Sequence, residues 1–124
     1  MIDFTNATFF KLKPVQDNNF SAMISPMFVP GEEIVQSFRG IRDGVVFTNK
    51  RIFAINVQGI TGKKKDFTSL PYSNIQAFSV ETAGVLDLDS ELDLWFAGMG
   101  NVRFEFVASA DVSKICRIIS ERVL

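Results

Sequence analysis

Between Glu32 and Val107 short apolar-rich runs are closed by turn signals about every ten residues, the spacing of a sandwich or small barrel. The runs are Ile34–Phe38, Val45–Thr48, Arg51–Val57, Lys65–Leu70, Ile75–Glu81, Glu91–Ala97 and Val102–Val107. Between them lie Gly40, Asn49-Lys50, Gly59-Ile60-Thr61-Gly62, Pro71-Tyr72-Ser73-Asn74, a longer acidic loop opening at Ala83-Gly84, and Gly98-Met99-Gly100-Asn101. Glycine, asparagine and proline at such spacing supply the backbone angles that tight turns need. Seven strands are therefore expected, and their short connections argue against a doubly wound parallel sheet.

The last pair alternates cleanly. Val102, Phe104 and Phe106 share one face, with Arg103 and Glu105 on the other. Leu92, Leu94 and Phe96 likewise point one way, which puts Trp95 outside with Glu91 and Asp93. An outward Trp is either covered by a terminal element or serves as an interface anchor.

The two ends differ from this middle. Residues 1–31 form an N-terminal segment that packs on the domain or on a neighbour, and residues 32–124 form the domain. Thr8–Lys13 reads as a short extended piece stopped by Pro14. Phe20, Met23, Ile24 and Met27 have the spacing of one helix face, with Asp17, Asn18 or Asn19 as cap. Pro26 should break that helix near Ser25. The stripe suits core packing or an adaptable partner-binding face. From about Ala110 to Val123 a second helix is expected, capped by Ser109 or Asp111. Its apolar stripe of Val112, Ile115, Cys116, Ile119 and Val123 faces the sheets.

Length and composition exclude much chemistry. The 124 residues suit one domain. There is no His and one Cys, which removes the usual Zn, Cu and haem ligand sets, Ser-His-Asp and Cys-His nucleophiles, and an internal disulfide. Gly62-Lys63 is not a P-loop, because Val57 stands where the earlier Gly belongs and Lys64 replaces Ser/Thr. Asp87, Asp89 and Glu91 match the first ligand positions of a calcium loop, but Leu92 replaces its Gly and Gly98 its final Glu. That run reads as an acidic loop entering a strand. No cofactor is expected. No apolar stretch reaches membrane-spanning length and no signal peptide is evident, so a cytoplasmic location is expected. The acidic balance gives no case for nucleic acid.

Charge is balanced in total but sorted along the chain. From Arg39 to Lys65 there are seven bases and one acid: Arg39, Arg42, Lys50, Arg51, Lys63, Lys64 and Lys65 against Asp43. From Asp66 to Asn101 there are six acids and no base: Asp66, Glu81, Asp87, Asp89, Glu91 and Asp93. Either these are ordinary wet strand faces, or a basic edge of one molecule meets an acidic edge of the next. Heterologous contact of that kind closes into rings or runs on as filaments. Lys63-Lys64-Lys65 also offers an anion site, or a turn protected from aggregation by charge.

Several stretches together resemble the bacterial pleckstrin-homology (PH) domain family. They are Arg42–Arg51, Gln58–Lys64, Leu70-Pro71-Tyr72, Phe78–Gly84 and Asp87–Leu92. The resemblance implies a mainly β fold, a strongly bent seven-stranded sandwich or barrel capped by a C-terminal helix. It also implies closed homo-oligomeric rings, and it brings no settled activity. The leading expectation is thus a non-enzymatic module that self-assembles into a ring and binds a further protein. Arg39, Arg42, Lys63, Lys64, Lys65, Asp87, Asp89, Glu91, Asp93 and Trp95 are the candidate interface or anion-binding residues. The alternative is a monomer that holds anions or acidic lipid head groups through the basic set. A third reading, a hydrolase built on Asp87, Asp89, Glu91 or Asp93, requires a deep pocket around those carboxylates.

Overall fold

The structure is a computed structural model and describes residues 1–16, 18–85 and 88–124. Its strands are β1 (Thr8–Val15), β2 (Ile34–Arg39), β3 (Gly44–Thr48), β4 (Arg51–Gln58), β5 (Lys64–Pro71), β6 (Ile75–Glu81), β7 (Ser90–Phe96) and β8 (Gly100–Phe106). The helices are α1 (Asn18–Ile24), continued by a 3-10 turn over Ser25–Met27, and α2 (Val112–Val123). A further 3-10 turn, Tyr72–Asn74, joins β5 to β6.

All eight strands form one sheet in the order β5-β4-β3-β2-β1-β8-β7-β6. The seven strands expected from sequence are β2 to β8. The eighth comes from the N-terminal segment and lies at the centre, joining two antiparallel meanders. Its first half runs parallel to β8, with Phe9 opposite Phe104 and Leu12 opposite Phe106. Its second half runs antiparallel to β2, with Lys13 opposite Arg39 and Val15 opposite Ser37. The changeover falls at a bulge where Lys11 has φ +52°, a left-handed conformation that side chains with a Cβ rarely take.

Pro14 does not stop the strand, contrary to the sequence expectation. By that point β8 has ended its pairing, so β1 has a neighbour only on the β2 side. A strand with one open side tolerates a residue that lacks an N–H.

The main core lies in the concave side of the sheet. Phe38, Phe47, Phe104 and Phe106 are fully buried and stack in a chain, with centroids 5.8 Å apart for Phe38–Phe47, 4.8 Å for Phe38–Phe106 and 6.3 Å for Phe47–Phe104. This is where the phenylalanine-rich composition goes: aromatic pairs add about 0.5–1.5 kcal/mol each beyond area burial. Ile115 and Ile119 of α2 close one side of this core, and Ile2 and Phe4 enter it too, Phe4 edge-on to Phe96. Asp111 caps α2, its carboxylate accepting from the Lys114 N–H at 3.1 Å. Cys116 is only half-buried on the helix stripe.

A second core forms on the convex side of β3 and β4. Phe20 and Ile24 of α1 cover Val46, Phe53 and Ile55, with Met23 and Phe28 packed alongside. The helix breaks at Ser25–Met27 as Pro26 requires. Gly44 makes the contact possible: a Cβ there would come within 2.3 Å of the Phe20 ring. Of the three cap candidates for α1, Asp17 lies outside the described residues.

Candidate functional site

The sorted charges separate onto the two halves of the sheet. The bases sit on β2 to β5 and their loops, the acids mainly on β6 to β8. Within each half, several are already used by the chain itself.

In the basic half, Arg51 is structural. It forks onto Glu32 with Nη2 2.8 Å from Oε1 and Nε 3.0 Å from Oε2, and Nη2 also donates to the Met27 carbonyl. Its guanidinium lies 4.3 Å over the Phe53 ring. Thr48 Oγ1 donates to Glu32, and accepts from the N–H groups of Lys50 and Arg51 to shape the β3–β4 turn. The Tyr72 hydroxyl donates to the Thr48 carbonyl at 2.7 Å. Burial opposes ionisation of Glu32, but hydrogen bonds from Arg51, Thr48 and the Val29 N–H, with the Arg51 charge, outweigh it and hold the carboxyl below the usual glutamate range. Burial pushes the Tyr72 phenol above its ordinary range, so it stays a donor. The Thr48–Arg51 stretch is therefore a clasp that ties residues 27–32 to the sheet. Glu32, its buried centre, carries no local sequence cue.

Arg39 stacks 4.8 Å over the Phe20 ring. Arg42 lies in the β2–β3 loop and donates to the Gly59 carbonyl in the β4–β5 loop, which sets these two loops side by side. Ile41, 88% exposed, and the fully exposed Ile60 project from them. Lys63 precedes β5, and Lys64 and Lys65 begin it, opposite Gln58 and Val57. The five predicted bases thus do not form one patch. Arg42 and Lys63 share the loop end, Lys64 and Lys65 start an outermost strand, and Arg39 lies against α1.

In the acidic half, Asp87 lies outside the described residues. Asp89 precedes β7, and Glu91, Asp93 and Trp95 lie on its outward-facing positions, as the alternation predicts. Arg103, just beyond the acidic stretch in sequence, sits directly across from Asp93. Its Nε is 2.9 Å from Asp93 Oδ1, and its Nη1 3.4 Å from Glu91 Oε2. Trp95 is 41% exposed between Ala77 and Asn101. The calcium-like run is interrupted by the start of β7 at Ser90. Asp66 is taken up by the Met1 amino group and Thr68, which hold its carboxyl below the usual range.

Clefts open on the surface among the described residues. One of about 580 Å³ is lined by Pro14–Gln16, Ser21, Ile34–Ser37 and Lys114. One of about 300 Å³ lies beside Phe10, Ile41, Arg42 and Val57. Neither is lined by Asp89, Glu91 or Asp93. Among the described residues no cluster of three or more carboxylate or thiol groups could hold a metal ion, and no helix is long and apolar enough to cross a membrane.

A curled, mostly antiparallel sheet capped by one C-terminal helix defines a PH-like module. The model of the bacterial PH domain family matches residues 3–123, and the chain belongs to that family. A solved structure from Shewanella loihica PV-4, described as a family protein with a pleckstrin-homology domain, superposes with a TM-score of 0.80 at 37% identity, over 92% of this chain and 98% of that one. A pleckstrin homology domain from Shewanella amazonensis SB2B gives 0.66 at 39% identity, over 89% and 90%. The Bacillus subtilis (strain 168) protein YjqA is 49% identical over 75 residues, which span 60% of this chain and 60% of YjqA.

Proposed function

We propose that this PH-like module is a non-enzymatic scaffold that self-assembles head to tail into a closed ring and presents its outer surface to a protein partner. The observation that carries the reading is the state of the sheet's two ends. Among the described residues no strand pairs with the outer side of β5 or of β6. Met1 and Ile2 bond to β5 through the Asp66 and Thr68 side chains. Unpaired edges are ready templates for a further strand. β5 begins with Lys64 and Lys65, while β6 ends with Glu81. Antiparallel pairing of β5 from one copy with β6 of the next brings opposite charges together, and like pairs β5–β5 or β6–β6 lack that match. Trp95, one strand in from β6 behind the small Ala77, is placed to anchor the same contact.

Light scattering after size exclusion tests this at low and high salt. The expected result is one mass several times 13.9 kDa, independent of concentration, that falls as salt rises. Replacing Lys63, Lys64 and Lys65 with Glu should shift it toward monomer, and adding Glu81→Lys should restore it in part. A monomer under all conditions would remove the ring.

One observation favours a second reading. The adjoining β2–β3 and β4–β5 loops expose Ile41 and Ile60 beside Arg42 and Lys63, an apolar tip with a basic collar. Such a tip suits an anionic membrane surface, where each cation contributes about 1 kcal/mol. Co-sedimentation with phosphatidylglycerol vesicles, lost in phosphatidylcholine and in the Ile41→Ser, Ile60→Ser variant, would favour it over the ring.

A further inference from the structure

One of these clefts is a break in the sheet. β1 pairs with β2 only from Lys13↔Arg39 to Val15↔Ser37, then turns away into α1. β2 begins three residues earlier, at Ile34. Along Ile34–Gln36 it therefore has β3 on one side and, among the described residues, no strand on the other. The β2–β3 register slips here as well, which leaves Val35 opposite no residue of β3. The cleft of about 580 Å³ opens onto this stretch, with Pro14, Val15 and Gln16 at one end and Lys114 of α2 at its wall.

Two details indicate what fits. The Gln36 side-chain oxygen is buried and, among the described residues, has no hydrogen-bond partner. It is an acceptor, and buried acceptors ordinarily have a donor. Lys114 is the one charged side chain among the described residues that line the cleft. An open strand flank offers N–H and C=O groups at strand spacing, which another extended backbone matches best. A carboxylate on that backbone would meet Lys114.

We propose that this break is a docking groove for a short extended peptide segment of a partner protein bearing an acidic side chain. The segment takes the place that β1 vacates, pairs with the backbone of Ile34–Gln36 and sets its carboxylate against Lys114. The strand involved lies three strands in from the β5 edge, so the groove does not depend on ring assembly.

The test is a two-dimensional NMR titration of the full chain with the blocked pentapeptide acetyl-Val-Thr-Val-Asp-Val-amide. Two controls carry Lys in place of the Asp, or N-methyl groups on the central amides. The expected result is saturable shifts confined to residues 34–37 and the start of α2, with slowed hydrogen exchange at the Ile34–Gln36 amides. Binding should weaken at least tenfold with either control. Lys114→Glu, an exposed change on a capped helix, should reverse the preference between the Asp and Lys peptides while leaving the free spectrum otherwise intact. Absence of saturable shifts, equal response to all three peptides, or shifts confined to β5 or β6 would each overturn the proposal.

Discussion

The two halves of the sheet are built from the same element and treated oppositely. β2 to β5 are covered on both sides, by the main core within and by α1 with its 3-10 extension outside. β6 to β8 are covered only within, and their outer side carries Ala77, Ser79, Glu81, Glu91, Asp93, Trp95 and Arg103. The sequence reflects this directly. β3 and β4 read as near-continuous apolar runs, Val45-Val46-Phe47 and Ile52-Phe53-Ala54-Ile55, whereas β7 and β8 alternate. The lesson is that one PH-like sheet separates a structural half, where polar groups are buried in a clasp, from a half that keeps a surface free.

The sharpest way to break the comparison is to remove one arginine from each half. Arg51→Ala strands the Glu32 carboxylate, whose side chain is fully buried, and should cost about 3–5 kcal/mol in urea unfolding. Arg103→Ala removes a half-exposed guanidinium whose place beside Asp93 water can take, and should cost about 1 kcal/mol or less. Equal losses would contradict the division. The same clasp gives a pH dependence. Because folding lowers the Glu32 pKa, its contribution is present above the ordinary glutamate range and disappears as pH falls through the lowered value. Glu32→Gln should lose that contribution at neutral pH and flatten the acid limb of a stability–pH curve. An acid limb as steep as that of the unaltered chain would assign it to other carboxylates.

A smaller effect is expected where α1 meets the sheet. Gly44→Ala forces the Phe20 ring to withdraw and should cost about 1–3 kcal/mol, with loss of amide protection in α1 before the rest of the domain. Unchanged protection would show that the helix tolerates a wider seat. Tyr72→Phe leaves the Thr48 carbonyl without its donor and should cost about 1–2 kcal/mol by thermal melting. No change would mean that solvent reaches that carbonyl.

Period-two alternation, turn residues and the stripe on α2 were enough to fix seven strands, the outward side of Trp95 and the terminal helix, because these depend on neighbours in the chain. Thr8–Lys13 read as a strand too, but nothing local says that it enters the middle of the sheet. That placement rests on pairing with residues about 25 and 95 positions away, which only closure of the core selects. The candidate site shows the same split. Counting charges along the chain separated bases from acids, yet could not see that Arg103 crosses to Asp93, that Arg51 is spent on Glu32, or that Arg39 lies against Phe20. Gln36 and Lys114, nearly eighty residues apart, share a cleft only because β1 leaves the sheet early. Sequence by itself determined which residues turn inward and where the chain bends. Tertiary structure alone decided which charges are already paired and where the sheet is left open, because both depend on contacts between segments that the chain brings together only on folding.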